Sequence, residues 1–421
     1  MTTPIPTYHY RCSRCGREYP GDRLRYTCPH DGGNLDIILD YDALRRELSP
    51  STFPGPGAEP SLWRYQALLP VPDPGGHGTP LRRVGWTPIY ALPRLRARLG
   101  LPHLWFKDES PNPTASFKDR ASAIVLAHAR QQGADVVITA STGNAGAALA
   151  GLAAASGQRA VILAPATAPR AKIAQLLIYG ARVVLIEGTY DDAFDLSVQA
   201  AQALGWYCRN TGYNPFTAEG KKTAAFEMWE QLLRDAPDAR WHIFIPVGDG
   251  NIISGIYKGF WDLHQLGWLP QMPRLHGVQA EGSAAVARAF FAGADRITPV
   301  QAQTLADSIS VNLPRDGERA LRAVRATGGR YWVVSDDAIL AAMRELGHHG
   351  VFVEPAAAAA YAGLRAAQAE AAFEPTDRVI VLLTGSGLKD VAAAMQAVPP
   401  APQIPPDLDA LQRVLAAAHD A

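Results

Sequence analysis

Ser116-Phe117-Lys118-Asp119-Arg120 opens an alanine-rich, helix-length segment, and Val136-Val137-Ile138-Thr139-Ala140 then runs into Ser141-Thr142-Gly143-Asn144-Ala145-Gly146. This stretch decides the fold. A short apolar run between two helical segments reads as a strand buried on both faces, and such strands belong to parallel sheets with helical crossovers. The pattern recurs outward in both directions. Strand candidates are Leu104–Lys107, Val136–Ala140, Ala160–Ala164, Arg182–Ile186, His242–Val247, Leu275–Gln279, Tyr331–Val334 and Val379–Leu383. Segments such as Ala121–Gln131 and Ala145–Ala155 separate them as helices. The alternation predicts an α/β fold with largely parallel sheets flanked by helices.

Two further strand ends share the design of the first. His242–Val247 leads into Gly248-Asp249-Gly250-Asn251, and Val379–Leu383 leads into Thr384-Gly385-Ser386-Gly387. Small residues between a strand and a helix let backbone N–H groups face an anion. The Gly-x-Gly at 248–250 also begins a Rossmann-like pattern, but Ile253 holds the place of the third glycine. Lysine occurs only seven times, so a reactive lysine has few candidates. Ser116 and Asp119 fit an S-x-x-D capping box, which places Lys118 in a first helical turn. The positive end of the helix dipole disfavours a cation there, helping to supply a neutral amine able to attack an aldehyde. An ordinary solvated lysine at a helix start is the competing reading.

Composition bounds the rest. The chain has 421 residues, 48% of them hydrophobic, with 40 basic and 40 acidic side chains. Zero formal net charge removes the electrostatic footprint of a nucleic-acid binder. The longest apolar runs, such as Ala356–Leu364, are too short to span a membrane, and the N-terminus lacks the order of a signal peptide. A cytoplasmic protein with reduced thiols is expected. Residues 1–40 form a separate unit in which Cys12-x-x-Cys15 and Cys28-Pro29-His30-Asp31 pair as two knuckles. Cys12, Cys15 and Cys28 supply three zinc ligands, and Asp31 or His30 can supply the fourth; a ribbon that packs without metal is the alternative. Residues 41–80 read as a linker, irregular and rich in proline and glycine from 49 onward, and residues 401–421 as a tail with one short helix. Cys208, His276, His348 and His349 read as structural. Asp307–Ser310 and Arg315 are candidates to line the site.

In order along residues 80–395, these motifs resemble the threonine synthase branch of the fold-type II pyridoxal 5′-phosphate (PLP) enzymes. The resemblance rests on Ser116-Phe117-Lys118-Asp119-Arg120, Ser141–Asn144, Pro246–Asn251, Glu354-Pro355-Ala356 and Leu383–Asp390. It implies a two-lobed catalytic domain at 81–400, with a smaller lobe at about 122–215 inserted in the larger, and a zinc-ribbon-like leader. It implies that Lys118 carries PLP as an internal aldimine and later moves protons. Asn144 would meet the cofactor's 3′-oxygen, Val247, Gly248, Asp249, Gly250 and Asn251 its phosphate, and Thr384 its ring nitrogen. Ser141, Thr142, Gly143 and Asn144 would hold the carboxylate of a small amino-acid substrate. A homodimer is the commonest symmetric assembly.

The chain departs from the family pattern where a phosphorylated substrate would bind. Ala145 stands where a threonine hydroxyl is usual, and Thr217 where an arginine is expected. Arg170, Lys172, Lys221 and Lys222 are the candidate substitutes. Three readings follow: threonine synthase, acting on O-phosphohomoserine and water; a serine/threonine dehydratase or a cysteate-synthase-like β-replacement enzyme; and a non-catalytic PLP-fold regulator, against which the intact Lys118 argues.

Overall fold

Three sheets carry the architecture of the computed structural model, which describes residues 5–419 apart from Thr142, Pro169 and Pro375. The first is antiparallel, in the order β2-β1-β3, from β1 (Tyr8–Cys12), β2 (Glu18–Pro20) and β3 (Leu35–Leu39). The largest is ordered β12-β11-β10-β13-β5-β4, from β4 (Ile89–Tyr90), β5 (Leu104–Asp108), β10 (Trp241–Pro246), β11 (Arg274–Ala280), β12 (Tyr331–Val334) and β13 (Arg378–Leu383). Only its edge strand β4 is antiparallel. The third is fully parallel, β8-β7-β6-β9, from β6 (Val136–Ala140), β7 (Arg159–Pro165), β8 (Arg182–Ile186) and β9 (Tyr207–Cys208).

The order of strands separates the two larger sheets along the chain. The chain leaves the large sheet after β5, builds β6–β9, and returns at β10. β13 then inserts between β10 and β5, so the last strand joins the first half of the sheet to the second. Every residue of β6 and β10 is buried, as continuous apolar strands covered on both faces require. The loops after β6, β10 and β13 emerge at the carboxyl ends of their strands, where open α/β sheets place their ligands.

Residues 41–80 correct the expectation of an irregular linker. Tyr41–Glu47 is a helix capped by Asp40, whose carboxylate accepts from the Ala43 N–H at 3.0 Å. Leu62–Leu68 forms 3₁₀ turns that bury Leu62, Trp63, Tyr65 and Leu68, and Trp63 Nε1 donates to the Leu81 carbonyl at 3.0 Å. Leu62, Tyr65 and Leu68 recur every third residue, which aligns them on one side of a 3₁₀ helix. Proline and glycine set the bends, but the apolar spacing embeds the segment in the core. Among the described residues no helix is long and apolar enough to cross a membrane.

Candidate active site

Lys118 begins the helix Lys118–Gln131, but the capping box expected at Ser116 and Asp119 does not form. The Asp119 carboxylate turns back to Thr114, accepting from its N–H at 2.7 Å and from its hydroxyl. Ala115 is the reason: its φ of 63° reverses the chain, and Ser116 bridges to Gly385 instead. Phe117 N–H donates to the Thr384 carbonyl at 2.8 Å and Ser386 N–H to the Ala115 carbonyl at 3.1 Å. The loop before the lysine is thus stitched to the loop after β13.

Arg120 anchors the same helix from below. Its guanidinium is fully buried and donates to Glu109 at 2.7 and 2.8 Å and to Glu227 at 2.5 and 2.8 Å. Lys107 Nζ adds a bond to Glu227 at 2.7 Å. Two cations against two carboxylates balance the charge, and Thr87 and Thr223 hydroxyls complete the bonding. A fully satisfied buried network of this kind fixes a single geometry for the residue two places before it.

One cavity of about 390 Å³ gathers Lys118, Ser141, Gly143, Asn144, Val247, Gly248, Asp249, Gly250 and Thr384. Asn251 lies beneath it, with its Nδ2 donating to Asp316 at 2.8 Å. Thr142 lies outside the described residues. The Ser141 hydroxyl accepts from the Gly143 and Gly146 N–H groups at 3.2 and 2.9 Å, shaping its own loop. Asn144 Nδ2 donates to both oxygens of Glu354 at 3.0 and 2.8 Å. Gly250 has φ 94°, and a Cβ there would stand 2.7 Å from the Asp316 carbonyl, so the loop after β10 tolerates no side chain at that point.

Electrostatics separate this lysine from an ordinary one. Burial pushes the Lys118 ammonium pKa down, and Arg209 pushes in the same direction against Asp249 and Glu354. Desolvation therefore supplies the effect that the sequence assigned to a helix dipole. Burial lowers Lys221 well below its ordinary value and Arg209 to about 10. Lys221 Nζ and Arg209 Nη2 are buried without a hydrogen-bond partner among the described residues. Burial would raise the Asp249 carboxyl, but Lys221, Lys118, the Asn251 N–H and Arg209 together hold it below its usual range. Burial raises the Glu354 carboxyl, opposed by Asn144 and by Lys118.

The cations proposed to replace a missing arginine at 217 sort themselves by position. Thr217 is buried and its hydroxyl donates to the Asn214 carbonyl at 2.7 Å. Lys222 is locked between Glu219 and Asp262, the latter at 2.9 Å. Lys172 pairs with Asp307 beside Gly143, and the side chain of Arg170 lies outside the described residues. Arg315 lines the cavity with Ala145, Asp307 and Ser308; it pairs with Asp191 at 2.8 Å, while its Nε is buried and unpartnered. Sequence reasoning gave no role to Arg209 or to Glu354 itself. Arg209 carried no local signal, because only folding brings it from β9 to Asp249. Glu354 was visible only within the Glu354-Pro355-Ala356 motif, whose proline takes the first helical position.

At the N-terminus, ligand atoms of Cys12, Cys15, Cys28 and Asp31 all lie within 4.8 Å of one another. His30 is outside that group. Asp31 Oδ1 is 3.3 Å from Cys12 Sγ, and the Arg14 and Cys15 N–H groups each point at that sulfur at 3.4 Å. Cys208 is buried in β9, where burial pushes its thiol up to about 12. His276 is likewise buried, stacked between His242 and Phe244.

Residues 81–385 match the family described as pyridoxal-phosphate dependent enzyme. The threonine synthase of Methanocaldococcus jannaschii is 37% identical over 408 residues, covering 96% of this chain and 98% of the relative. That of Methanosarcina acetivorans is 36% identical, covering 97% and 98%. Among solved structures, diaminopropionate ammonia lyase from Escherichia coli superposes with a TM-score of 0.65 at 22% identity, over 74% of this chain and 87% of that one, which is a likeness of fold. The chain belongs to the pyridoxal-phosphate dependent enzymes, and these two relatives of matching length are threonine synthases.

Proposed function

We propose that this chain is a threonine synthase that converts O-phosphohomoserine and water to threonine and phosphate at the Lys118 cavity. The observation that carries the reading is similarity to two threonine synthases over 96% and 97% of this chain and 98% of each relative. The cavity fits the cofactor on its own evidence. Lys221 Nζ and Arg209 Nη2 are buried donors without partners beside the glycine loop, and a dianionic phosphate answers both. Val247–Asn251 would hold that phosphate, Thr384 would face the ring nitrogen, and Lys118 would carry the aldehyde carbon. PLP, when bound, supplies the electron sink for charge on the substrate carbons.

The chain's own residues supply the rest. Lys118 Nζ, whose ammonium form burial disfavours, takes protons from the substrate carbons and returns them. The Ser141–Asn144 loop orients the substrate carboxylate at the start of the helix Asn144–Ser156. Glu354 holds the Asn144 amide in place. The substrate phosphate falls to Arg315, which lines the cavity together with Thr211. A zinc ion held by Cys12, Cys15, Cys28 and Asp31 would close the N-terminal unit.

The absence of an arginine at 217 favours a second reading, a serine/threonine dehydratase that needs no phosphate site. Supplying the PLP-loaded protein separately with O-phosphohomoserine, threonine and serine distinguishes the two. Threonine and free phosphate support the synthase; a 2-oxo acid with ammonia supports the dehydratase and defeats the leading reading.

A further inference from the structure

A second cavity, of about 320 Å³, lies where the N-terminal sheet meets the helices Asn251–Gln265 and Gly317–Ala326. Five cationic side chains line it, Arg11, Arg14, Lys258, Arg319 and Arg322, with Asp36 as the one carboxylate among the lining residues. Most of these charges are shared out. Arg14 pairs with Glu318 at 3.0 Å, Lys258 with Asp262 at 2.5 Å and Glu219 at 3.6 Å, and Arg319 with Asp36 at 3.3 Å and Asp316 at 3.4 Å. Arg296 also draws on Glu318, and Lys222 on Glu219 and Asp262. Seven cations therefore answer to five carboxylates across this network.

The excess of two positive charges has an address. Arg11 stands opposite Asp36 and Glu18 on its two strand neighbours, yet no carboxylate among the described residues lies within 4.0 Å of its guanidinium. Glu18 is turned to His9 at 3.4 Å. Arg322 has only a contact of 3.9 Å to Asp36 and a bond to the Ser13 carbonyl. Tyr257 and Trp261 line the same cavity, with ring centroids 6.2 Å apart and planes 32° apart.

We infer that this cavity binds a small dianion, a phosphate ester or dicarboxylate carrying a planar ring. The anionic end meets Arg11 and Arg322 and the ring lies against Tyr257 and Trp261, an arrangement that combines charge-assisted hydrogen bonds with aromatic contact. The site does not depend on which amino acid the Lys118 cavity uses. Both helices that line it reach the cofactor loop. Asn251 begins one, and Asp316, just before the other, takes the Asn251 amide at 2.8 Å and gives its N–H to the Asp249 carbonyl at 2.9 Å.

The test titrates the full-length, PLP-loaded protein with phenyl phosphate, inorganic phosphate and phenol while following tryptophan fluorescence. Phenyl phosphate should produce a saturable change that is absent in W261F, and should bind more tightly than either fragment. R11Q and R322Q should each weaken it about tenfold or more, the scale of one charge-assisted bond, with the cofactor absorbance unchanged. Arg11 makes no ion pair among the described residues, so R11Q removes a charge from the site without breaking one. No saturable change in the millimolar range, a response that survives in W261F, or equal affinity in the wild type and both arginine variants would overturn the inference.

Discussion

Replacing Lys221 with methionine tests the cofactor assignment without relying on turnover. The methionine keeps most of the apolar stem that packs against Gly255 and removes only the buried ammonium. If that ammonium answers the cofactor phosphate, K221M loses one hydrogen bond to a charged group, worth about 1.5–3 kcal/mol. PLP affinity should then fall about 10- to 150-fold. Pyridoxal has the same ring and aldehyde but no phosphate, so its affinity should change little. Absorbance titration of the cofactor-free protein with each compound gives the ratio directly. The sign of the pH effect follows from the lowered pKa of Lys221. A phosphate favours the charged amine, so the wild-type preference for PLP over pyridoxal should decline as pH rises past the lowered pKa of Lys221 and the amine loses its proton. In K221M the Lys221 part of that decline should vanish. Equal losses for PLP and pyridoxal would refute the reasoning, because they would place Lys221 in the scaffold and not at the phosphate.

Arg120→Leu removes the cation that pairs with both Glu109 and Glu227 in a fully buried site; denaturant unfolding should show a loss of about 3–5 kcal/mol. Arg315→Ala should raise KM for O-phosphohomoserine about 10- to 150-fold while leaving the PLP absorbance intact, as expected for one lost contact to a phosphate. Cys12→Ser should abolish bound zinc in metal analysis of the purified protein; the same metal content in both proteins would remove Cys12 from the ligand set. Asn144→Ala should leave Glu354 without its strongest partner, and steady-state kinetics should show the loss mainly in kcat.

The α/β class and the individual strands were legible because continuous apolar runs such as Val136–Ala140 and Val379–Leu383 have one use, a strand covered on both faces. The segment at 62–68 was not, because its proline and glycine neighbours mask a three-residue apolar period. The cap at Ser116 was misread for a physical reason: a capping box is a local pattern, and the left-handed Ala115 together with the loop after β13 overrides it. Most residues that the family resemblance assigned to the cofactor share one cavity. Those that reach it from elsewhere were silent. Arg209 and Lys221 matter through their unmet donors near Asp249, and a donor left unmet by the fold cannot be seen in a sequence. Arg315 could be named only as a neighbour of the loop it extends.

The account stands most directly on the product released from O-phosphohomoserine by the PLP-loaded protein. It predicts threonine and inorganic phosphate in equal amounts, with neither formed by K118A. Release of a 2-oxo acid and ammonia, or turnover that persists in K118A, would contradict it.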